Sequence, residues 1–370
     1  MVITISHGGY IKRPPVGSYR KQKRGGVGVA GIDMKEEDFV EHLFVASTHE
    51  YILFFTNKGK VYWLKVYEIP QAGRAARGKA VINLLQLEQG ENISSYVRVK
   101  EFKEGKFLVM ATKNGLIKKT DLMAYSNPRK GGIIGITVEK DDELIKVKWT
   151  EGNQDIFIAT EQGKAIRFSE SQVRDMGRSA MGVRGIRLGK KDRVIAMEIV
   201  VPTATILTVT AQGFAKRTPA DEYRKQSRGG KGIKNVNVTK KNGEAVGLKM
   251  ANEDDELMVI TQKGMIVRSP VKDIRSTGRS TQGVRLMKLD KGDKIASVAK
   301  IIPEDEAAEE EKIKEAESLV KKEAPAVKLE EAVKPKEEIK AEKSVEATKK
   351  AEPKTKQKAA PKKKATKRKK

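Results

Sequence analysis

Ile52-Leu-Phe-Phe-Thr-Asn-Lys-Gly59 is one copy of a phrase that returns as Phe107-Leu-Val-Met-Ala-Thr-Lys-Asn-Gly115, Ile156-Phe-Ile-Ala-Thr-Glu-Gln-Gly163, Ile206-Leu-Thr-Val-Thr-Ala-Gln-Gly213 and Leu257-Met-Val-Ile-Thr-Gln-Lys-Gly264. A looser copy, Val2-Ile-Thr-Ile-Ser-His-Gly-Gly9, opens the chain. The six glycines stand 50, 56, 48, 50 and 51 residues apart, which makes the repeat one structural unit of about 50 residues. Each phrase is a β-branched and aromatic run, a turn with glycine, and a second run that reaches Arg13, Lys119, Arg167, Arg217 or Arg268, with Trp63 in the second unit. Glycine supplies the positive φ that a tight hairpin turn demands, so each unit is expected to open with a β-hairpin.

Two further strands are expected in each unit. One is read at Ala80-Val-Ile-Asn-Leu-Leu, Gly185-Ile-Arg-Leu and Gly283-Val-Arg-Leu-Met, and a closing one at Leu144-Ile-Lys-Val-Lys-Trp and Val194-Ile-Ala-Met-Glu-Ile-Val. About four strands per unit is the pattern of a propeller blade, and six blades side by side bury a core that none could bury alone. The expected fold is all-β with little helix, in units of approximately 1–50, 51–105, 106–155, 156–204, 205–255 and 256–302. A pair of β-sandwiches fits the even spacing less well.

Outside the hairpins, each unit carries charge at a fixed place. Fifteen residues after the glycine marker come Arg24, Arg74, Lys130 (after Arg129), Arg178, Arg228 and Arg279. Nineteen after it come Gly28, Gly78, Gly182, Gly232 and Gly283, with Gly135 one residue late in the third unit. The richest loops are Arg20-Lys-Gln-Lys-Arg-Gly-Gly-Val-Gly28 and Arg224-Lys-Gln-Ser-Arg-Gly-Gly-Lys-Gly232. Backbone N–H groups freed by glycine, together with Arg and Lys, suit phosphate oxygens; such contacts hold a backbone and do not read bases. The candidate DNA-binding set is Arg20, Lys21, Gln22, Lys23, Arg24, Gly25, Gly26, Val27 and Gly28 in the first loop. From the other loops it takes Arg74, Arg77, Lys79, Arg129, Lys130, Arg178, Arg184, Arg224, Lys225, Gln226, Arg228, Gly229, Gly230, Lys231, Gly232, Arg279 and Arg285.

Composition agrees with a polyanionic partner. The 370 residues hold 75 Lys+Arg against 49 Asp+Glu, a net charge of +26. There is no cysteine and only three histidines, so disulfides, thiol catalysis and a His-rich metal cage lack material, and no metal or cofactor is expected. Gly26-Val-Gly-Val-Ala-Gly31 fits a dinucleotide fingerprint, but hairpins stand where that fingerprint needs a βαβ unit. Neither a signal peptide nor a spanning apolar run is read, which leaves a cytoplasmic, nucleoid-associated location. From 303 to 370 aromatics vanish and Glu, Lys, Ala and Pro take over, acidic first and lysine-rich at the end; this segment is expected to be a disordered tail that adds DNA affinity.

The phrase Gln22-Lys-Arg-Gly-Gly-Val-Gly28 resembles the Q-R-R-G-G-K-G box of the C-terminal domain of bacterial DNA gyrase A. Ile32-Asp-Met-Lys-Glu-Glu-Asp-Phe39, Ala75-Ala-Arg-Gly78 with Val81-Ile-Asn-Leu-Leu-Gln-Leu-Glu88, and Met181-Gly-Val-Arg-Gly-Ile-Arg-Leu-Gly189 are also similar to that family. The resemblance covers residues 1 to about 302. It implies a six-bladed β-pinwheel in which neighbouring blades exchange strands. It further implies double-stranded DNA wrapped in a positive sense on the basic rim, in support of ATP-driven negative supercoiling by this type IIA topoisomerase. The chemistry then belongs to other parts of the enzyme, and this domain is expected to have neither strand cleavage nor ATPase activity, nor a small-molecule substrate. Implied partners are DNA, the remainder of gyrase A, and gyrase B, with a monomeric disc and no membrane. Lys23 stands where the box has Arg, and Val27 where it has Lys; Gln226-Ser-Arg-Gly-Gly-Lys-Gly232 restores that Lys. Three alternatives stand beside this reading: a free-standing DNA-compacting protein, the related C-terminal domain of topoisomerase IV, and a propeller that binds proteins.

Overall fold

A computed structural model describes residues 1–6, 8–14, 40–73, 76–263 and 266–301. All lie in one compact unit, Met1–Glu311. The hairpins form where the repeated phrases predict them: β1 (Val2–Ser6) with β2 (Tyr10–Lys12), then, past β3 (Val40–Val45), β4 (Tyr51–Thr56) with β5 (Lys60–Lys65). After β6 (Lys79–Ala80) and β7 (Ile93–Val99) come β8 (Phe107–Thr112) and β9 (Leu116–Asp121), followed by β10 (Ile133–Ile134) and β11 (Leu144–Thr150). The pattern continues with β12 (Asp155–Thr160), β13 (Lys164–Ser169), β14 (Val183–Arg184) and β15 (Val194–Ile199), then β16 (Thr205–Thr210), β17 (Phe214–Pro219), β18 (Ile233–Lys234) and β19 (Ala245–Ala251). The last unit holds β20 (Glu256–Thr261), β21 (Ile266–Pro270), β22 (Val284–Arg285) and β23 (Ile295–Ile301). Helix among the described residues is confined to short 3-10 turns such as Glu170–Gln172 and Ala220–Glu222.

The strands make six antiparallel sheets, the blades of a propeller or pinwheel, and each blade borrows from the next. Sheet order is β3-β1-β2-β6, β10-β5-β4-β7, β11-β8-β9-β14, β15-β12-β13-β18, β19-β16-β17-β22 and β21-β20-β23. In every four-stranded sheet the edge strand beside the hairpin's second strand is a two-residue piece contributed by the following unit; β14 of the fourth unit, for example, pairs with β9 of the third. For the sixth sheet the following unit is the first, whose corresponding segment lies outside the described residues. The closing strands line up side by side, β7 with β11, β11 with β15, β15 with β19, β19 with β23, and β23 with β3, which joins the last blade to the first around an axis. The borrowed strands occupy the opposite edge of each four-stranded sheet and so form the outer rim.

Two expectations need correction. The strand expected over Gly185-Ile-Arg-Leu and its counterparts is shorter and earlier: Val183–Arg184, Lys79–Ala80 and Val284–Arg285, while Val81–Asn83 turns as a 3-10 helix. Beyond two residues the chain must leave the edge to enter its own blade. In the third unit Gly132, with φ +70, precedes the borrowed strand Ile133–Ile134 as Gly182 precedes Val183, so Gly132 is the counterpart of Gly182 and the expected Gly135 is not. That loop is shorter by two residues, which a fixed offset cannot register.

The core lies between blades. In β4 the side chains alternate, Ile52 and Phe54 packing with Ile3, Ile5 and Ile11 of the first unit, Leu53 and Phe55 with Leu108 and Met110 of the third. A strand buried on both faces has no polar side to show, which explains the continuous apolar run that marks each repeat. Gly163 shows why the marker must be glycine: it turns the hairpin at φ +77, and a Cβ there would lie 2.4 Å from the carbonyl oxygen of Val236 in the next unit. Several turns are also tied down by a carboxylate from their own unit. Asp142 Oδ1 accepts from the backbone N–H of Asn114, Asp192 Oδ1 from that of Gln162, and Asp293 Oδ1 from that of Lys263.

Candidate DNA-binding rim

The loops that carry the predicted residues end in the borrowed strands, and the topology therefore delivers all of the described ones to the outer edge. Arg77, Lys79, Arg129, Lys130, Arg184, Arg224, Lys225, Lys231 and Arg285 are exposed; Arg178, Gln226, Arg228 and Arg279 are half-buried. Arg20, Lys21, Gln22, Lys23, Arg24, Gly25, Gly26, Val27, Gly28 and Arg74 lie outside the described residues.

The loops of units 4, 5 and 6 dock on the preceding blade before they become rim strands. Asp175, Lys225 and Ser276 make isolated parallel bridges to Lys119, Arg167 and Arg217. This is one role of the basic residues that end each hairpin: Arg167 donates twice to Asp155 and once to the Ala220 carbonyl, and Arg217, buried, donates to the Ile274 carbonyl and to Glu253. They hold the ring together from within.

The recurrent loop arginine has a similar structural duty. Arg228 Nε and Nη1 donate to the carbonyls of Gln172 and Arg184 at 3.0 and 2.6 Å, and Arg279 Nη1 donates to the Lys234 carbonyl at 3.4 Å. Arg184 and Lys234 occupy the same place in consecutive loops, so each of these arginines reaches back to the loop before it. A guanidinium has five N–H donors, and these bonds use two and one of them. The loop glycine is likewise explained by architecture. Gly232 sits at φ +67, and a Cβ on it would lie 2.5 Å from the Ala165 carbonyl of the preceding blade.

What remains for a ligand is a rim of cations. Arg77 lies over the Tyr10 ring at 3.8 Å and Arg285 over Phe214 at 5.7 Å, contacts that hold a guanidinium flat without consuming its charge. Lys225 Nζ is 3.1 Å from Asp155 of the neighbouring blade, and Gln226 Nε2 is buried with no hydrogen-bond partner. The loop 224–232 thus presents Arg224 and Lys231 outward and keeps a polar amide unsatisfied within.

Sequence reasoning missed two kinds of residue. Lys234 is exposed on β18 at the place taken by Arg184 and Arg285, and like them it stands 21 residues after its glycine marker, a regularity present in the sequence. The other kind is buried. Lys118 on β9 donates to the carbonyls of Gly135, at 2.6 Å, and Arg178; Lys216 on β17 donates to those of Gly278 and Arg279 at 2.9 and 2.7 Å; Lys12 on β2 donates to that of Ala76 at 2.8 Å. Burial pushes the Lys118 ammonium down to about 7, helped by Arg178, and that of Lys216 down to about 8 against the opposing pull of Glu222.

Comparison with known proteins agrees with this geometry. The family described as DNA gyrase C-terminal domain, beta-propeller, matches residues 1–47, 50–96, 106–148, 154–200, 204–252 and 255–301, one match per blade. The DNA gyrase A protein of Halalkalibacterium halodurans is 56% identical over 317 residues, which cover 84% of this chain and 38% of that protein. Its counterpart in Salmonella typhimurium is 41% identical over 301 residues, 81% of this chain and 34% of that protein. The chain therefore spans little more than a third of the length of these relatives. Among solved structures, the C-terminal domain of DNA topoisomerase IV superposes with a TM-score of 0.74 at 26% identity, covering 85% of this chain and 97% of that one. The DNA gyrase A C-terminal domain superposes with a TM-score of 0.65 at 24% identity, covering 81% and 99%, and supports the fold. Six matched repeats on six strand-exchanged blades place the chain in one family: it belongs to the DNA gyrase C-terminal domain family of beta-propellers.

Proposed function

We propose that this domain binds duplex DNA around its basic rim, bends it with a positive-handed wrap, and so supports negative supercoiling by a gyrase whose cleavage and ATPase chemistry lies elsewhere. The observation that carries the reading is the rim itself: the described loops of units 2 to 6 each bring basic residues to the outer edge of the preceding blade. The working partners are double-stranded DNA, the remainder of gyrase A, and gyrase B, in the bacterial cytoplasm.

A bend of 40 to 90° over 20–30 base pairs costs on the order of 1–6 kcal/mol, and a half turn or more costs roughly twice that. Six loops making one or two phosphate contacts each neutralise about 6 to 12 phosphates, which corresponds to a salt slope near −5 to −10 and offsets that cost. Affinity should fall steeply with salt and change little with sequence; a flat salt response sinks the reading. The loops 20–28 and 224–232 are the anchors, since both combine Gln, Arg and a Gly-Gly pair. Replacing Gln22 to Gly28 by alanine should leave much of the binding and abolish bending, read by energy transfer between labelled duplex ends. Unchanged bending removes the special role of that loop. The lysine-rich end, Lys362 to Lys370, acts as an auxiliary DNA-binding arm.

A further inference from the structure

The rim loops are of two kinds, and the kind is set by one side chain on the preceding blade. Three residues after each glycine marker the chain reads Lys12, Tyr62, Lys118, Ile166, Lys216 and Val267, lysine alternating with an uncharged residue. The loops that follow alternate in step. After Lys12, Lys118 and Lys216 come Gly73-Arg74, Gly177-Arg178 and Gly278-Arg279; after Tyr62, Ile166 and Val267 come Arg129-Lys-Gly-Gly132, Arg228-Gly-Gly230 and, once round the ring, Arg24-Gly-Gly26. The alternation holds at all six places in the sequence.

The structure supplies the cause. Lys12, Lys118 and Lys216 are each about 1% exposed or less, and an ammonium taken out of water must be given acceptors. They come from the next blade's loop: Ala76 for Lys12, Arg178 for Lys118, Gly278 and Arg279 for Lys216. In the last case Thr218 Oγ1 adds a bond to the Thr277 carbonyl at 2.8 Å. At the alternate positions no such donor is present. A Cβ on Gly132 would lie 2.9 Å from the Tyr62 ring and one on Gly230 3.6 Å from Ile166 Cδ1, so these loops rest on uncharged side chains through glycine. Bonds from a buried ammonium to its carbonyls fix the loop that supplies them, whereas the loop over Ile166 is held by backbone bonds, Gly229 N–H to the Gly185 carbonyl and Arg187 N–H to the Gly230 carbonyl, and by the Arg228 guanidinium.

We propose that Lys12, Lys118 and Lys216 are positioning residues that clamp the loops of blades 2, 4 and 6 as fixed phosphate stations on the rim, a device that the described loops of blades 3 and 5 do without. The DNA half of this rests on the function proposed above.

The test uses the full chain with Lys216→Met, which keeps the length of the side chain and removes its donors. Amide hydrogen exchange of residues 276–282 in the DNA-free protein should quicken by roughly tenfold or more, the protection expected of bonds to a charged donor. The salt slope of duplex binding should shrink by about one as Arg279 loses its fixed station. In Ile166→Met, which lacks a clamp to lose, exchange in residues 227–231 should stay as it is. Lys118→Met, read at residues 176–181, repeats the test at an independent clamp if Lys216→Met does not fold. Unchanged exchange at both clamped loops overturns the proposal even where DNA binding is intact. A wild-type chain without salt-dependent DNA binding overturns the functional reading and the DNA half with it, and the exchange result then still decides whether the clamps exist.

Discussion

The two edges of each blade are built to opposite specifications. The axial edge is a strand of six or seven residues, paired along its length and packed against its counterparts in the blades on either side. The rim edge is a strand of two residues, borrowed from the next unit, followed and preceded by charge. A long unpaired edge invites pairing with other chains, and a short charged one discourages it, so the rim can stay open to solvent. It follows that stability should be concentrated toward the axis and between blades, and that the rim should tolerate substitution except where one blade passes close to another.

The largest effect is expected at the axial edge. Leu248→Ala on β19, 2% exposed among Phe157, Ile206 and Tyr223, should cost about 2–5 kcal/mol in urea unfolding, because a cavity there is lined by two blades. A loss below about 1 kcal/mol says that the axial strands do not carry the ring.

A smaller effect is expected from the buried clamp as pH changes. The folded state pushes Lys216 down to about 8, and the unfolded chain keeps that proton up to its ordinary range near 10.5. The unfolded state thus binds more protons between these values, and stability must rise with pH across that window. The stability of the wild type relative to Lys216→Met should grow by roughly 2–3 kcal/mol between pH 8 and 10.5. A difference that stays flat shows that the lysine remains charged when buried.

Where blades cross at the rim, Gly232→Ala should cost on the order of 1–3 kcal/mol, from positive φ and from a Cβ only 2.5 Å from the Ala165 carbonyl. Gly177→Ala, with nothing within 4 Å of the added Cβ, should stay within about 0.5 kcal/mol. Equal costs at the two sites mean that the crossing is looser than the geometry says. The smallest effect on stability belongs to the outward cations: Lys231→Ala and Lys234→Ala should leave unfolding unchanged and each reduce the salt slope of duplex binding by about one. A loss of affinity with no change in slope places these lysines off the DNA path.

Much of this was legible in the sequence because repetition turns one weak signal into six. A single Thr-x-x-Gly after an apolar run is a turn among many; five of them and one Ser-x-x-Gly, about 50 residues apart, define hairpins, blades and their number. The basic residue and the glycine in each loop were legible for the same reason, and their recurrence was read as one phosphate-binding device. The structure divides them. Gly182 and Gly232 pass a neighbouring backbone, Arg228 and Arg279 brace one loop to the last, and the freely exposed charge lies at Arg184, Arg224, Lys231, Lys234 and Arg285. Recurrence reports that a position matters to every blade, and contact between blades recurs as regularly as any binding surface on a repeated rim.

The class, the number of units, the hairpins and the basic loops were written in the sequence, since these depend on local pattern and on totals. Only the tertiary structure decided which unit owns each rim strand, that Gly132 and not Gly135 opens the third one, and that Lys12, Lys118 and Lys216 face inward. The physical reason is range. A lysine in a short strand looks solvent-bound until the next blade, about 60 residues away in sequence for the bonds of Lys118 and Lys216 to their neighbours' loops, closes over it and supplies the carbonyls that let it stay buried.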